Sequence, residues 1–318
     1  MGIRKLIGQT LRRISAALLP LIAYFTLVFG RRRRPTVEAD TSILEVRDRG
    51  SDVTLVSFAG LAALHGGMVN YEFTNLLRRH GLEANLVFVR DPLLACYHLA
   101  PDGGTDGIAY YEGRVREALE KLGSRYNVAI GTSIGGMAAL LFAQRCGMDR
   151  VLAFSPSWPP ERYLLNGSLS VRLRRWKVLF RHPGAFFERL ILGQMARISQ
   201  RTLKRTVGEG AIVDLEAEMK RARRLPKITV YYGEGCDPDV ITAGALREAG
   251  AAETVALPTA MHNTTAFLKQ RGDLVNLILD TVEEGMVADG LTPVKSVPPP
   301  AFEPQTEDVT TFVARTGS

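Results

Sequence analysis

Cysteine is scarce in this chain of 318 residues, which contains only Cys96, Cys146 and Cys236. An odd number of cysteines in a chain of this length does not form a disulfide framework, and their spacing is not that of metal ligands. The sequence therefore predicts no metal site, and the few cysteines slightly favour a reducing compartment.

Nucleotide-binding patterns are also missing. The run Gly131–Gly136 has neither the G-x-G-x-x-G spacing of dinucleotide-binding proteins nor the lysine of the P-loop. The net charge of +7 accompanies no recognised nucleic-acid-binding fold, so no nucleic-acid partner is expected. With 46% hydrophobic residues the chain can bury a sizeable core, and nothing in it calls for a cofactor.

Predicted strands and helices alternate through most of the chain. Apolar patterns predict strands at Ile43–Val46, Val53–Phe58, Ala84–Arg90, Tyr126–Ile130, Arg150–Phe154, Lys227–Tyr232 and Glu253–Leu257. They predict helices at Val69–His80, Asp106–Gly123, Ile134–Cys146, Val240–Ala249 and Thr264–Glu284. This alternation indicates an α/β fold with a mostly parallel sheet flanked by helices. Sheets of this kind bind ligands at the carboxyl ends of their strands.

Residues 157–225 interrupt the alternation before the last two strands. The segment has no strand pattern and combines aromatic residues such as Trp158 and Phe186 with many arginines. We interpret it as a helical, basic lid inserted into a core formed by residues 42–156 and 226–289. Its charge has two open interpretations: a surface that lies on an anionic membrane, or a solvated basic face.

The two ends of the chain differ from the core. Residues 1–34 hold an uncharged run from Ile14 to Phe29, broken by Pro20 and followed by four arginines. This pattern predicts a membrane anchor, and the alternative is a helix that docks on the domain. The pattern leaves open whether the run spans the membrane or lies on its surface. Flanking charges do not settle the orientation, and the cytoplasmic side is slightly favoured. Residues 290–318, rich in proline and threonine, predict a disordered tail.

A predicted strand, a tight turn and a helix meet at Gly131–Gly135, which reads G-T-S-I-G. In that context G-x-S-x-G is the pattern of a nucleophile elbow, where the turn exposes one side chain, here Ser133. Such a serine needs a histidine as its base, and the histidine needs a carboxylate. His262 follows the last predicted strand, and Asp237 follows the strand before it; Glu234 and Asp239 lie near Asp237.

The chain order Ser133, Asp237, His262, with each residue after a strand, resembles the α/β-hydrolase superfamily from about Ile43 to Gly285. The resemblance implies that Ser133 is the nucleophile, His262 the general base and acid, and Asp237 the orienting carboxylate. The segments Phe58–Leu61, Val87–Asp91, Tyr97–His98 and Ala153–Pro156 are similar to a bacterial branch of that superfamily, which fixes no substrate.

Two backbone amides are needed to bind the oxyanion of an acyl transfer. Ile134 follows the nucleophile, and Leu61 lies in the loop after the strand Val53–Phe58, where Gly60 allows close approach of the backbone. We predict that Ile134 and Leu61 supply the two amides. His98 either lines the pocket or serves packing, and packing is the preferred interpretation.

These residues predict a serine hydrolase that cleaves a carboxylic ester or thioester through an acyl-enzyme on Ser133. The basic lid and apolar N-terminus favour a small-molecule or lipid-like acyl substrate met at a membrane surface. Two alternatives stay open. An acyltransferase would use the same triad with another acceptor, and a binding module of the same fold would carry out no catalysis.

Overall fold

The computed structural model describes residues 43–60, 72–79, 82, 84–159, 182–288 and 290. Within these residues the strands are β1 (Leu44–Arg47), β2 (Val53–Phe58), β3 (Asn85–Val89), β4 (Tyr126–Thr132), β5 (Arg150–Phe154), β6 (Lys227–Gly233) and β7 (Glu253–Leu257). The α-helices are α1 (Thr74–Arg79), α2 (Gly107–Leu122), α3 (Ile134–Arg145), α4 (Pro183–Thr206), α5 (Leu215–Arg221), α6 (Asp237–Glu248), α7 (Thr264–Arg271) and α8 (Asp273–Ala288).

The strands form one sheet in the order β1-β3-β2-β4-β5-β6-β7. Strand β1 pairs with β3 in the antiparallel sense, and all other pairs are parallel, which confirms the predicted sheet. The register aligns Phe58 with Gly131 and Thr132 with Phe154, so strands β2, β4 and β5 end at one edge. The loops that follow them therefore meet above that edge.

Apolar side chains cover both faces of the sheet. Along β2, Val53 and Leu55 belong to one buried cluster, and Val56 and Phe58 belong to the other, as a period of two requires. Helices α2, α3 and α6 contribute to the cluster on one face, and α1, α7 and α8 contribute to the cluster on the other. Because both faces are covered, every residue of β2, β3 and β5 is buried, and their sequences are mostly apolar rather than alternating.

Several predicted helix boundaries are wrong, and two of them have a clear local cause. The helix expected over Thr264–Glu284 is two helices, because Gly272 has a φ of 82°, in the left-handed region, and ends α7. Helix α6 begins at Asp237 rather than Val240, with Pro238 in its first turn. Proline suits that position because its missing N–H would have no intrahelical acceptor there.

Between β5 and β6, residues 182–225 contain helix α4, a 3₁₀ turn (Glu209–Ala211) and helix α5. The loop before α5 is tied to the core through Val213. Its carbonyl accepts a hydrogen bond from Trp158 Nε1 at 2.8 Å, and its N–H donates to His98 Nε2 at 3.1 Å. The rings of His98 and Trp158 stack with centroids 5.2 Å apart. His98 thus packs against the insertion, as preferred above.

Several predictions fall outside the described residues: the anchor in residues 1–34, the tail beyond residue 290, the lid residues 160–181, and Leu61. Among the helices that the structure describes, none combines the length and apolar character needed to cross a membrane.

Candidate active site

The turn at Ser133 has the geometry of a nucleophile elbow. Ser133 has a φ of 58°, a strained backbone conformation for a residue with a Cβ. Its glycine neighbours permit the turn: a Cβ on Gly131 would lie 2.1 Å from the Gly135 carbonyl oxygen, and one on Gly135 would lie 2.2 Å from the Phe58 carbonyl oxygen. No side chain fits at either position, so the G-x-S-x-G spacing is a steric requirement here.

Backbone hydrogen bonds hold the elbow in this strained form. The N–H of Ser133 donates to the Phe154 carbonyl at 2.9 Å. The Ser133 carbonyl accepts from Met137 in helix α3 at 3.1 Å and from Ser157 at 3.0 Å. Strain persists at a site only where the surrounding structure enforces it, and these contacts with β5, α3 and the following loop do so.

The structure brings Ser133 and His262 together, as the sequence predicts. The Nε2 atom of His262 lies 2.9 Å from Ser133 Oγ, although the residues are 129 positions apart. His262 lies in the loop between β7 and α7 and is only 4% exposed. At this distance the serine hydroxyl can donate its hydrogen to the imidazole, which is the contact that a general base requires.

Asp239, not Asp237, completes the group. Oδ1 of Asp239 lies 2.8 Å from Nδ1 of His262, and the Asp239 side chain is fully buried. Asp237 makes no contact with His262 that would orient the ring; its side chain is 48% exposed, and its Oδ2 lies 3.7 Å from Nη1 of Arg189. The assignment of Asp237 as the orienting carboxylate is therefore corrected to Asp239.

The start of helix α6 explains the correction. Asp237 occupies the first helical position, where a carboxylate faces solvent and interacts with the helix dipole. Asp239 lies two residues later, about 200° further around the helix axis. The sequence carries a signal for this: Asp239, Thr242, Ala243 and Leu246 follow the i, i+3, i+4, i+7 spacing of a buried stripe, and all four are buried.

The surroundings of His262 favour its protonated form. Burial alone lowers the pKa of the imidazole, but the charge and hydrogen bond of Asp239, together with the charge of Glu188, outweigh burial and raise the pKa. In the neutral imidazole, Nδ1 carries the hydrogen that bonds to Asp239, because a carboxylate can only accept, and Nε2 is left as the acceptor from Ser133. The three side chains thus form a continuous hydrogen-bonded series from Asp239 through His262 to the serine oxygen.

One predicted oxyanion amide lies beside Ser133. Ile134 is the first residue of helix α3, so its N–H has no acceptor within the helix. Leu61, the other predicted donor, lies outside the described residues. Its neighbour Gly60 packs on the elbow, since a Cβ there would lie 3.8 Å from Ser133 Cβ and 2.8 Å from the Thr132 carbonyl oxygen.

The carboxyl group of Glu72, which the sequence analysis did not single out, lies beside Gly60. Oε2 of Glu72 accepts a hydrogen bond from the Gly60 N–H at 3.0 Å. Burial raises the pKa of Glu72 to about 7, while the hydrogen bond from the Gly60 N–H opposes the shift. The backbone carbonyl of Glu72 accepts from Ser57 Oγ at 2.8 Å, which fixes the turn before α1.

Helix α4 contributes a further buried carboxylate, Glu188, which the sequence analysis missed. Its oxygens accept hydrogen bonds from the backbone N–H groups of His262 at 2.7 Å and Asn263 at 3.1 Å. No local pattern could have marked Glu188, because its partners lie 74 and 75 residues away along the chain.

Cys236, Asp239 and His262 bring potential metal-binding atoms within 4.8 Å of one another. Both nitrogens of His262 already have hydrogen-bond partners, Asp239 and Ser133, and a cation held by this group would have to break at least one of these bonds. Burial also raises the pKa of the Cys236 thiol, which disfavours the thiolate that binds metals. The hydrogen bonds of His262 and the protonated thiol of Cys236 therefore both disfavour a metal ion at this group.

Comparisons with known proteins find similar structures but no similar sequences among family models or curated proteins. No protein-family model matches this sequence, and no curated protein matches it. The structure of MenH from S. aureus is similar with a TM-score of 0.50 at 14% identity, over 77% of this chain and 99% of that one. A proline iminopeptidase of Mycobacterium smegmatis reaches a TM-score of 0.49 at 13% identity, over 77% and 95% of the two chains.

The capsule O-acetyltransferase of Neisseria meningitidis serogroup A reaches a TM-score of 0.48 at 12% identity, over 74% of this chain and 90% of its own. Together with the sheet order, the likeness to MenH confirms the predicted α/β-hydrolase fold. At identities this low the comparisons establish the fold alone, and chemistry has to be argued from the site.

Proposed function

We propose that this protein is a serine hydrolase that cleaves a carboxylic ester or thioester through an acyl-enzyme on Ser133. The observation that carries the proposal is the hydrogen-bonded series from Ser133 Oγ to His262 Nε2 at 2.9 Å and from His262 Nδ1 to Asp239 Oδ1 at 2.8 Å. A nucleophile, a base and an orienting carboxylate in this geometry are the parts that acyl transfer requires.

In the proposed reaction Ser133 Oγ attacks the acyl carbonyl carbon while its proton moves to Nε2 of His262. The negative charge that develops on the carbonyl oxygen is bound by the N–H groups of Ile134 and Leu61. Collapse of this intermediate breaks the bond to the alcohol or thiol, which leaves with the proton from His262. Water then attacks the acyl-enzyme while His262 takes one of its protons. The second intermediate collapses, the serine oxygen regains a proton from His262, and the acid is released.

Asp239 supports both halves of this cycle. It holds His262 in the tautomer that leaves Nε2 free to take a proton, and it stabilises the imidazolium that forms. Its full burial increases this stabilisation, since charges interact more strongly where water is excluded.

Labelling by a fluorophosphonate probe tests the proposal directly. The probe should modify wild-type protein at one site, identified by peptide mass spectrometry as Ser133, and Ser133→Ala should abolish labelling. Thr206→Ala, which removes an exposed hydroxyl at the last position of helix α4, is the control and should be labelled at the wild-type rate. A folded wild-type protein that does not react would refute the proposal and favour a binding module.

Esters of increasing acyl length, offered with and without an alcohol acceptor, then define the reaction. Release of free acid at the same rate with and without the acceptor supports hydrolysis. Transfer of the acyl group to the alcohol in preference to water identifies an acyltransferase with the same acyl-enzyme.

We also propose that the substrate is met at an anionic membrane surface. Helices α4 and α5 and the residues after them present exposed basic side chains, which attract anionic lipids: Arg201, Arg205, Arg221 and Arg223. The proposed lid therefore carries charge where a bilayer could contact it. The anchor predicted in residues 1–34 would act in the same direction.

Flotation with vesicles tests this part. Full-length protein should bind phosphatidylcholine vesicles that contain phosphatidylserine more strongly than pure phosphatidylcholine vesicles, and salt should weaken the difference. Replacing Arg201, Arg205 and Arg221 together with Gln should weaken the preference for phosphatidylserine, while Arg114→Gln on helix α2 should leave it unchanged. Equal binding to both vesicle types by the wild type would contradict the proposal.

A further inference from the structure

Glu188 and Arg189 lie side by side on helix α4, and both side chains are almost fully buried at 5% and 7% exposure. Buried charged residues are costly unless they are hydrogen-bonded, so their partners indicate what the pair is for. Glu188 contacts backbone groups of the loop that carries His262, and Arg189 contacts both that loop and the loop before helix α6, on which Asp239 lies.

Glu188 holds the histidine loop by its backbone. One carboxylate oxygen accepts from the His262 N–H at 2.7 Å and the other accepts from the Asn263 N–H at 3.1 Å. The contact fixes the peptide from which the imidazole projects, while Ser133 and Asp239 contact the ring itself. Rotation of that peptide would move Nε2 relative to Ser133 Oγ.

Arg189 joins this loop to the loop after β6. Its Nη2 donates to the Gly235 carbonyl and, at 3.3 Å, to the Ala260 carbonyl, while Nη1 lies 3.7 Å from Asp237 Oδ2. The loops also bond directly, through Gly235 N–H and the Thr259 carbonyl at 3.0 Å. The guanidinium therefore bridges the loop before helix α6, the helix that carries Asp239, and the loop that carries His262.

The charged and titratable groups around His262 come from several elements. Asp239 belongs to α6, Glu188 belongs to α4, and the Cys236 thiol precedes α6, with the Ser133 hydroxyl on the opposite side of the ring. The negative charge of Glu188 contributes to the raised pKa of His262. Glu188 thus affects His262 in two ways: it holds the backbone N–H of the residue, and its negative charge raises the pKa of the imidazole.

We propose that Glu188, supported by Arg189, is a positioning residue that makes the base of the active site competent only while helix α4 is docked on the two loops. This inference rests on the proposed function, because the reaction that it regulates is the one assigned to Ser133. It links the insertion to catalysis: displacement of α4, for example at a membrane surface, would release the backbone of His262.

The variant Glu188→Gln tests the inference because it keeps the shape of the side chain. A glutamine has one acceptor oxygen, so its NH₂ group would face one of the two N–H donors. The rate constant for fluorophosphonate labelling of Ser133 should fall by up to about 100-fold, the loss that a small misplacement of a catalytic group can cause. The pH at which the labelling rate constant is half of its maximum should also move to a lower value, because the variant loses a negative charge that raises the pKa of His262.

Glu218→Gln is the matched control, because Glu218 is a part-buried carboxylate on α5 whose partner, Arg145, is remote from the site. It should change neither the rate nor the midpoint. A Glu188→Gln protein with the wild-type rate, or with a reduced rate and an unmoved midpoint, would overturn the inference, because a purely structural role does not alter the titration of His262.

A second measurement separates failure of this inference from failure of the proposed function. In Ser133→Ala protein labelled with ¹³C-histidine, NMR should show the His262 titration moving to lower pH when Glu188→Gln is added. If the wild type does not react with the probe but this shift is seen, the proposed function fails and the contact of α4 with His262 stands. If the wild type reacts and no shift is seen, the positioning role fails.

Discussion

Asp239 and Asp237 lie two residues apart, yet they end on opposite sides of helix α6. Asp239 is fully buried and bonds to His262 at 2.8 Å, whereas Asp237 is 48% exposed and lies 3.7 Å from Arg189. The rotation of a helix by about 100° per residue is sufficient to give neighbouring carboxylates such different surroundings.

The first prediction separates these two carboxylates. Asp239→Asn should reduce the rate of acylation at Ser133 by roughly 10⁴-fold, because the amide favours the wrong tautomer of His262. Asp237→Asn should retain the rate to within about threefold, since the two ring nitrogens of His262 contact Asp239 and Ser133 instead, and the half-exposed Asp237 side chain forms only a 3.7 Å ion pair with Arg189. Probe-labelling kinetics of the two purified variants provide the comparison. Similar rates for the two variants would contradict the corrected assignment.

The sheet and the tight turn at Ser133 could be predicted because their causes are local. Strand β2 shows its two-sided burial as an apolar run, and the elbow shows its steric limits as glycines around Ser133. The choice between Asp237 and Asp239 depended on the exact start of α6, and helix ends are the least certain part of any pattern. The contacts of Glu188 were beyond prediction, because only the folded chain places its carboxylate against amides 74 and 75 residues away.

The second prediction concerns the glycine that follows the elbow. Gly135→Ala should lower the free energy of unfolding by about 2–3 kcal/mol or more, because the new Cβ would lie 2.2 Å from a carbonyl oxygen in β2. Gly113→Ala, at an exposed position of helix α2 with nothing within 4 Å, should instead stabilise by about 0.5–1 kcal/mol. Urea unfolding of both variants measures the difference. Equal effects at the two sites would show that the close approach at Gly135 is wrong.

The third prediction is the pH dependence of acylation by the unmodified protein. Only neutral His262 can accept the serine proton, so the rate should rise with pH through the pKa of His262. Since the net effect of burial, Asp239 and Glu188 is to raise that pKa, the midpoint should lie above the ordinary value of 6.5. The rate constant for probe labelling, measured from pH 5 to pH 9 with a correction for probe hydrolysis, gives this midpoint. A midpoint below 6.5 would show that burial outweighs the two carboxylates.

The fourth prediction concerns the carboxyl group of Glu72 beside Gly60. Its pKa is about 7 in the folded protein against an ordinary value of 4.5, so between these pH values the folded state binds more protons than the unfolded state. Stability then falls as pH rises through this window, and the loss is complete above about pH 7. Glu72→Gln removes this dependence, so the variant should gain stability relative to the wild type as pH increases from 5 to 8.

Urea unfolding at pH 5 and pH 8 measures the effect of Glu72→Gln as a difference of differences, which cancels the titration of all other groups. Glu117→Gln, at a 67% exposed carboxylate on helix α2, is the matched control and should show the same change between the two pH values as the wild type. The sign of the result decides the point: a variant that loses stability relative to the wild type at pH 8 would mean that Glu72 is needed as a charged acceptor for Gly60. The expected gain would show that Glu72 is protonated in the folded protein below about pH 7. A charged Glu72 would oppose the negative oxyanion that Ile134 and Leu61 are proposed to bind, so the protonated form suits that site.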